Sequence, residues 1–142
     1  MYTLVVIDVQ QQFLFAAMPV LSVIRRRVLK ARREGAAILY VEYDGCGNTV
    51  SDVYLNNYRR THTVLKYEDA GGPQVSSYVL KYQLPKRLVV CGVNTNYCVR
   101  RTVEGLTGFS VQVARAACND GYGHQLQGLH AMLDMPHVEI VR

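Results

Sequence analysis

The 142-residue sequence predicts an α/β protein in three layers, with helices on both faces of a mostly parallel six-stranded sheet. Three observations predict it. Short apolar runs rich in Val, Ile and Leu alternate with longer segments whose apolar residues recur at helical spacing. Gly and Pro fall at the junctions between them. The runs Leu4-Val5-Val6-Ile7-Asp8 and Val64-Leu65-Lys66 carry a single charge, at the C-terminal end, as strands buried on both faces do.

In chain order, Thr3–Asp8 reads as a buried strand. Pro19 suits the opening of a helix, and Val20, Leu21, Ile24, Val28 and Ala31 continue it to Glu34, with Gly35 as the stop. Ala36–Tyr43 is a second apolar strand, followed by a turn-forming loop over Asp44–Asn48. Ser51 is placed to cap a short helix through Tyr58. His62–Lys66 is a third strand, and Gly71-Gly72-Pro73 breaks the chain before a helix over Gln74–Tyr82. Arg87–Val93 is the fourth strand, Asn96–Thr107 a helix ending at Gly108, and Ser110–Arg115 the fifth strand. A helix over Gly123–Asp134 and a strand over His137–Val141 complete the pattern. Such alternation implies right-handed βαβ units in one domain spanning residues 1–142.

Composition narrows the function classes. With 49% hydrophobic and 19% charged residues, the chain is an ordinary globular sequence rather than a disordered one. The first residues carry no basic segment of a signal peptide, and no apolar stretch approaches the roughly 20 residues of a membrane span. The expected compartment is the cytoplasm, without a membrane partner. Cys46, Cys91, Cys98 and Cys118 form no CxxC pair, and the four histidines do not fall at metal-ligand intervals near them. Free thiols are expected.

The net charge of +5 comes largely from arginines, above all Arg25, Arg26, Arg27, Lys30, Arg32 and Arg33 on one helix. A nucleic-acid surface is one reading, but no stacking or helix-turn-helix motif accompanies the charges, so a solvated face is the simpler one. Nucleic acid is therefore not an expected partner. Attraction of an anionic small substrate through the field of the protein stays open.

Parallel strands direct their C-terminal ends at one crevice, where ligands bind. An acid (Asp8), an amine (Lys66) and a thiol (Cys98) can meet there although 58 and 32 residues separate them. Cys98 falls on the first turn of a helix, beside unpaired backbone N–H groups, which is expected to lower its pKa from about 8.5 and to favour nucleophilic chemistry. Cys91, among valines in mid-strand, reads as an inert core thiol. Asp8 reads equally well as a proton-transfer group and as a helix cap. Lys66 alone reads as a surface lysine and gains a role only beside the other two.

At these segments the sequence resembles the isochorismatase-like cysteine hydrolases, the superfamily of nicotinamidases and N-carbamoyl-amine amidohydrolases. Gly92-Val93-Asn94-Thr95-Asn96-Tyr97-Cys98-Val99-Arg100-Arg101-Thr102 is similar to their G-[VIL]-x-T-x-x-C-V-x-x-T signature, and Asp8-Val9-Gln10-Gln11-Gln12-Phe13 to their D-x-Q-x-x-F segment. The resemblance implies a sheet order of 3-2-1-4-5-6 and a catalytic triad of Asp8, Lys66 and Cys98. It also implies a cis peptide between Val93 and Asn94, with an oxyanion site at Val93, Asn94 and Cys98, and substrate contacts from Phe13, Asp44, Asn94 and Tyr97. The implied activity is hydrolysis of a small amide or carbamoyl compound through a thioester, with no cofactor, in a homo-oligomer (dimer or tetramer).

Departures from the family pattern bear on the substrate. The segment after Phe13 is short. Nicotinamidases carry a metal site of the form D-x-H-x-x-x-x-H after the second strand, whereas this chain has Asp44-Gly45-Cys46-Gly47-Asn48-Thr49-Val50, so no metal is expected. Asp69-Ala70-Gly71 replaces a small residue and an aromatic. Ala116 stands where the family has an Asp after the fifth strand. The alternatives to an enzyme are a non-catalytic binder of a small metabolite on the same fold, or an interaction module built on the arginine face.

Overall fold

The computed structural model describes residues 1–142. The strands are β1 (Thr3–Ile7), β2 (Ala37–Tyr43), β3 (Thr61–Lys66), β4 (Arg87–Val93), β5 (Ser110–Asn119) and β6 (Val138–Val141). They form one sheet in the order β3-β2-β1-β4-β5-β6, with every neighbouring pair parallel. The helices are α1 (Leu14–Ala17), α2 (Leu21–Arg33), α3 (Gly72–Lys81), α4 (Arg100–Glu104) and α5 (Gln125–Leu133).

β1 is central, all five of its residues are buried, and Val6 is in register with Tyr40 of β2 and Cys91 of β4. Its uninterrupted apolar run is what a strand covered on both faces requires. From β1 the chain steps outward through β2 to β3, then returns to place β4 on the other flank. The order of strands therefore reverses at β1/β4, which fixes the crevice for ligands at the C-terminal ends of those two strands.

β4 lies tight against β1 at Gly92. Its φ is +129°, and a Cβ there would stand 2.1 Å from the Ile7 carbonyl oxygen. Only glycine fits this approach of β4 to β1. The β4–β5 register also shifts here, from Val90↔Val113 to Gly92↔Cys118. Beyond this bulge β5 resumes pairing and runs to Asn119, past the expected end at Arg115.

α2 buries Ile24, Val28 and Ala31 and exposes Arg25, Arg26, Lys30, Arg32 and Arg33. The helix does not open at Pro19, because that proline sits in a 3-10 turn over Met18–Val20 that follows α1. Helical turns therefore begin at Gln11, where the sequence offers no clear periodicity. The expected helix over Ser51–Tyr58 is absent. The Tyr40 hydroxyl donates to the Val53 carbonyl at 2.5 Å and accepts from the Leu55 N–H at 3.2 Å, holding the segment as turns. No helix is long and apolar enough to cross a membrane.

The helix expected over Asn96–Thr107 divides into a π-turn at Thr95–Val99 and the short α4. The wide turn starts where the Asn94 carbonyl accepts from both Tyr97 and Val99. Cys98 thus lies in a π-turn rather than in regular α-helix, a local geometry that recurs at functional sites.

Candidate active site

Asp8 is the first residue after β1. Its φ is +56°, and its N–H donates to the Val41 carbonyl at 3.0 Å, so β2 fixes its backbone. Lys66 closes β3 and is 0% exposed; Asp8 is 1% exposed. The Lys66 side chain reaches across the end of β2 to bring Nζ within 3.0 Å of Asp8 Oδ2. Nζ also donates to the Asp69 carbonyl at 2.9 Å and stands 4.5 Å from the centre of the Tyr43 ring. A Cβ on Gly71 would fall 2.9 Å from Lys66 Cδ. The glycine that departs from the family pattern therefore gives the lysine stem room.

The Asp8–Lys66 approach is a buried ion pair, and the Cys98 thiol also stands against the Asp8 carboxyl. Burial pushes the Asp8 carboxyl above its ordinary value of 3.8, against the charge of Lys66 and the thiol of Cys98. Burial and the Asp8 carboxylate push the Cys98 thiol up in turn, with Lys66 opposing. This overturns the expectation of a thiol acidified by a helix N-terminus: loss of water and a neighbouring negative charge outweigh what the first turn offers. The Cys98 thiol donates to Asp69 Oδ1 at 3.9 Å.

Cys98 opens onto a cleft of about 320 Å³ walled by Phe13, Tyr43, Tyr97 and Tyr122, with Asp69 and Asn94 as its other lining residues. Of the residues expected to contact substrate, Phe13, Asn94 and Tyr97 are there. Asp44 is not: its side chain is exposed on the turn after β2, and its N–H is tied to the Lys66 carbonyl at 2.9 Å. His62 faces elsewhere, sharing a 2.9 Å hydrogen bond with the Tyr78 hydroxyl. The peptide between Val93 and Asn94 is cis, and the Asn94 N–H has no backbone acceptor.

Two polar residues hold the walls. Gln10 is fully buried; its Oε1 accepts from the Tyr43 N–H at 2.8 Å, and its Nε2 donates to the carbonyls of Tyr43 and Gly47 at 3.0 and 2.6 Å. This conserves the register between the Asp8–Phe13 segment and the end of β2. Asp120, buried after β5, accepts from the N–H groups of Asn96, Tyr122 and His124 at 2.9, 2.9 and 3.3 Å. An acid does follow the fifth strand, then, and Ala116 lies inside that strand because of the bulge. The Asp120-Gly121 pair is a turn signal that marks the true strand end. Asn94 Oδ1 completes the wall by accepting from the Gly121 N–H at 2.7 Å.

Sequence reasoning also missed Asp69 as a lining residue: its Oδ1 lies 3.9 Å from Cys98 Sγ. Gly128 in α5 was likewise missed. A Cβ there would sit 2.8 Å from Asn96 backbone, so α5 packs directly against the turn that bears Cys98. All four cysteines are free, and no three His, Cys, Asp or Glu side chains converge as a metal site would require.

The sheet order, the crevice at β1/β4 and the Cys-bearing turn define the isochorismatase-like α/β fold. The structure is similar to that of a nicotinamidase from Staphylococcus aureus, with a TM-score of 0.85 and 15% identity over 99% of this chain and 98% of that one. It is similar to the MAR1 ribonuclease from Caenorhabditis elegans, with a TM-score of 0.82 and 20% identity over 99% and 76%. It is also similar to an N-carbamoylsarcosine amidase from Thermoplasma acidophilum, with a TM-score of 0.81 and 14% identity over 99% and 95%. No family model matches the sequence, and no curated protein matches it. At these identities the likeness is one of fold, and activity has to be argued from the site.

Proposed function

We propose that the protein is a cysteine hydrolase of a small amide or carbamoyl compound. The observation that carries this reading is the buried Asp8–Lys66 pair beneath a thiol that opens onto an aromatic cleft. Two of the similar folds, the nicotinamidase and the N-carbamoylsarcosine amidase, are named for amide hydrolysis and support it.

Asp8 takes the thiol proton as Cys98 Sγ forms a bond to the substrate carbonyl carbon, whose oxygen gains the negative charge. The N–H groups of Asn94 and Cys98 stabilise that oxyanion, in accord with the Asn94 N–H having no backbone acceptor. Collapse breaks the C–N bond. Asp8 gives its proton to the departing nitrogen, and a thioester on Cys98 remains. Asp8 then takes a proton from water as hydroxide adds to the thioester. The C–S bond breaks, the sulfur recovers its proton from Asp8, and the acid leaves. Lys66 holds Asp8 in place and offsets its charge at each step.

The test is a panel of small amides assayed for ammonia or amine release, with intact mass to detect an acyl adduct. Wild type is expected to turn over at least one amide and to form the adduct; Cys98→Ala is expected to do neither. Equal turnover in Cys98→Ala, or tight ligand binding with no product in wild type, overturns the reading.

A further inference from the structure

We infer that the cleft selects a cationic substrate, one carrying an ammonium or amidinium group beside the bond that is cleaved. The inference rests on the hydrolase reading for the bond broken, but its charge argument stands on the walls alone. Asp8 and Lys66 face one another and cancel. Asp69 is the carboxylate left over. Its Oδ1 is 3.9 Å from the thiol sulfur, close enough to meet a group on the very carbon under attack.

The cation nearest to Asp69 from outside is Arg101, whose Nε stands 4.0 Å from Oδ2, with both side chains about half exposed (49% and 46%). Such a pair is open to water and weak, and Oδ1 otherwise accepts only from the Cys98 thiol, a weak donor at 3.9 Å. The lining includes no Lys, Arg or His. An anionic substrate would find no counter-charge in the lining, only Arg101 outside it and already paired with Asp69, because Lys66 Nζ is sealed from solvent and committed to Asp8 and the Asp69 carbonyl. A cation would find Asp69 and the rings of Phe13, Tyr97 and Tyr122, whose faces attract positive charge.

Tyr97 is held by the 2.8 Å hydrogen bond between its hydroxyl and His124 Nδ1, and its ring lies 5.5 Å from that of Tyr122, edge to face. The rings are thus pre-positioned rather than loose. The overall charge of +5 does not reverse the local sign. It is concentrated on the exposed face of α2, and exposed charges beyond about 8–10 Å are largely screened at physiological salt.

The test uses two methanethiosulfonates of similar size, one ending in trimethylammonium and one in sulfonate. Labelling of Cys98 is followed by peptide mass, so that the half-buried Cys46 is scored separately, and each rate is normalised to that of a free thiol. Cys98 is expected to prefer the cationic reagent about ten-fold, and Asp69→Asn to cut that ratio about five-fold, the scale of a charge–ring and charge–charge contact. Asp69→Asn keeps the backbone carbonyl that Lys66 uses, and Asp69→Ser serves as a second variant should it fold poorly. A ratio near one in wild type, or one unchanged by both variants, overturns the inference. Matched ammonium, neutral and carboxylate amides form the second arm. The ammonium amide is expected to show the lowest KM and the largest rise in KM in Asp69→Asn. Hydrolysis without charge preference refutes cation selection and leaves the hydrolase standing. Charge-selective labelling with no amide hydrolysed does the reverse.

Discussion

Lys66 Nζ lies 3.0 Å from Asp8 Oδ2, with both side chains sealed from solvent. Here the lysine charge opposes the burial that raises the Asp8 carboxyl, in keeping with the proposed role of Asp8 as acceptor of the thiol proton.

The first prediction concerns pH. Asp8 has to be ionised to accept the thiol proton, and burial raises its carboxyl above 3.8. The kcat/KM for amide hydrolysis is therefore expected to fall as pH falls through a value above the ordinary carboxylate range. Linked stability has the opposite sign. A raised folded-state pKa stabilises the protein below 3.8, and that contribution is lost as pH rises through the folded value. A pH–rate profile with an acid limb at or below 3.8 contradicts this.

The second concerns the pair as a unit. Lys66→Met leaves the Asp8 charge buried and alone, which costs about 3–5 kcal/mol. Adding Asp8→Asn removes that charge, so the double variant is expected to recover a large part of the loss while remaining inactive. Urea denaturation of wild type and the two variants measures both terms. A Lys66→Met loss below about 1 kcal/mol shows that the charge is relieved some other way.

The third concerns Gln10, whose amide holds the Tyr43 N–H and carbonyl and the Gly47 carbonyl. Gln10→Ala strands those groups and is expected to cost about 2–3 kcal/mol. Because Phe13 and Tyr43 are opposing parts of one wall, with ring centres 6.3 Å apart, KM is expected to rise more than kcat falls. Thermal melting and steady-state kinetics separate the two effects. A stability loss with unchanged KM confines Gln10 to folding.

The strand sequence and the three site residues were readable because each depends on local pattern: apolar runs, the charge that ends them, and a glycine turn before Cys98. That Asp8, Lys66 and Cys98 can meet followed from the one crevice at the ends of parallel strands, whereas strand order came through family resemblance, since no spacing rule links residues on different strands. What escaped was non-local. The bulge opposite Val90/Gly92 moves the end of β5 from Arg115 to Asn119 and hands the strand-end position to Asp120. The sequence of β5 alone has no sign of it. The thiol pKa was misjudged for a similar reason: its helix position is local, but its burial and its approach to Asp8 exist only in the fold. Asp69 read as part of a pocket-shaping loop that departs from the family pattern, and only the geometry brings its carboxylate beside Cys98.

The last prediction isolates the close approach that shapes the crevice. At Gly92 the backbone φ of +129° is disfavoured for any L side chain, and an added Cβ would lie 2.1 Å from the Ile7 carbonyl oxygen and 2.7 Å from the Ile7 nitrogen. Those atoms belong to the central strand one residue before Asp8, so no flexible side chain can yield. Gly92→Ala is expected to cost about 4 kcal/mol or more, or to prevent folding, since it combines a backbone clash with a disfavoured φ. Gly108→Ala is the control: its φ is not in the left-handed region and no heavy atom lies within 4 Å of the added methyl, so the change is expected to stay within about 1 kcal/mol. Soluble yield and urea denaturation of the two variants decide the matter. Should Gly92→Ala retain wild-type stability, β4 can shift away from β1 without cost. The tight packing at the switch point would then not be what positions Asp8 and Cys98.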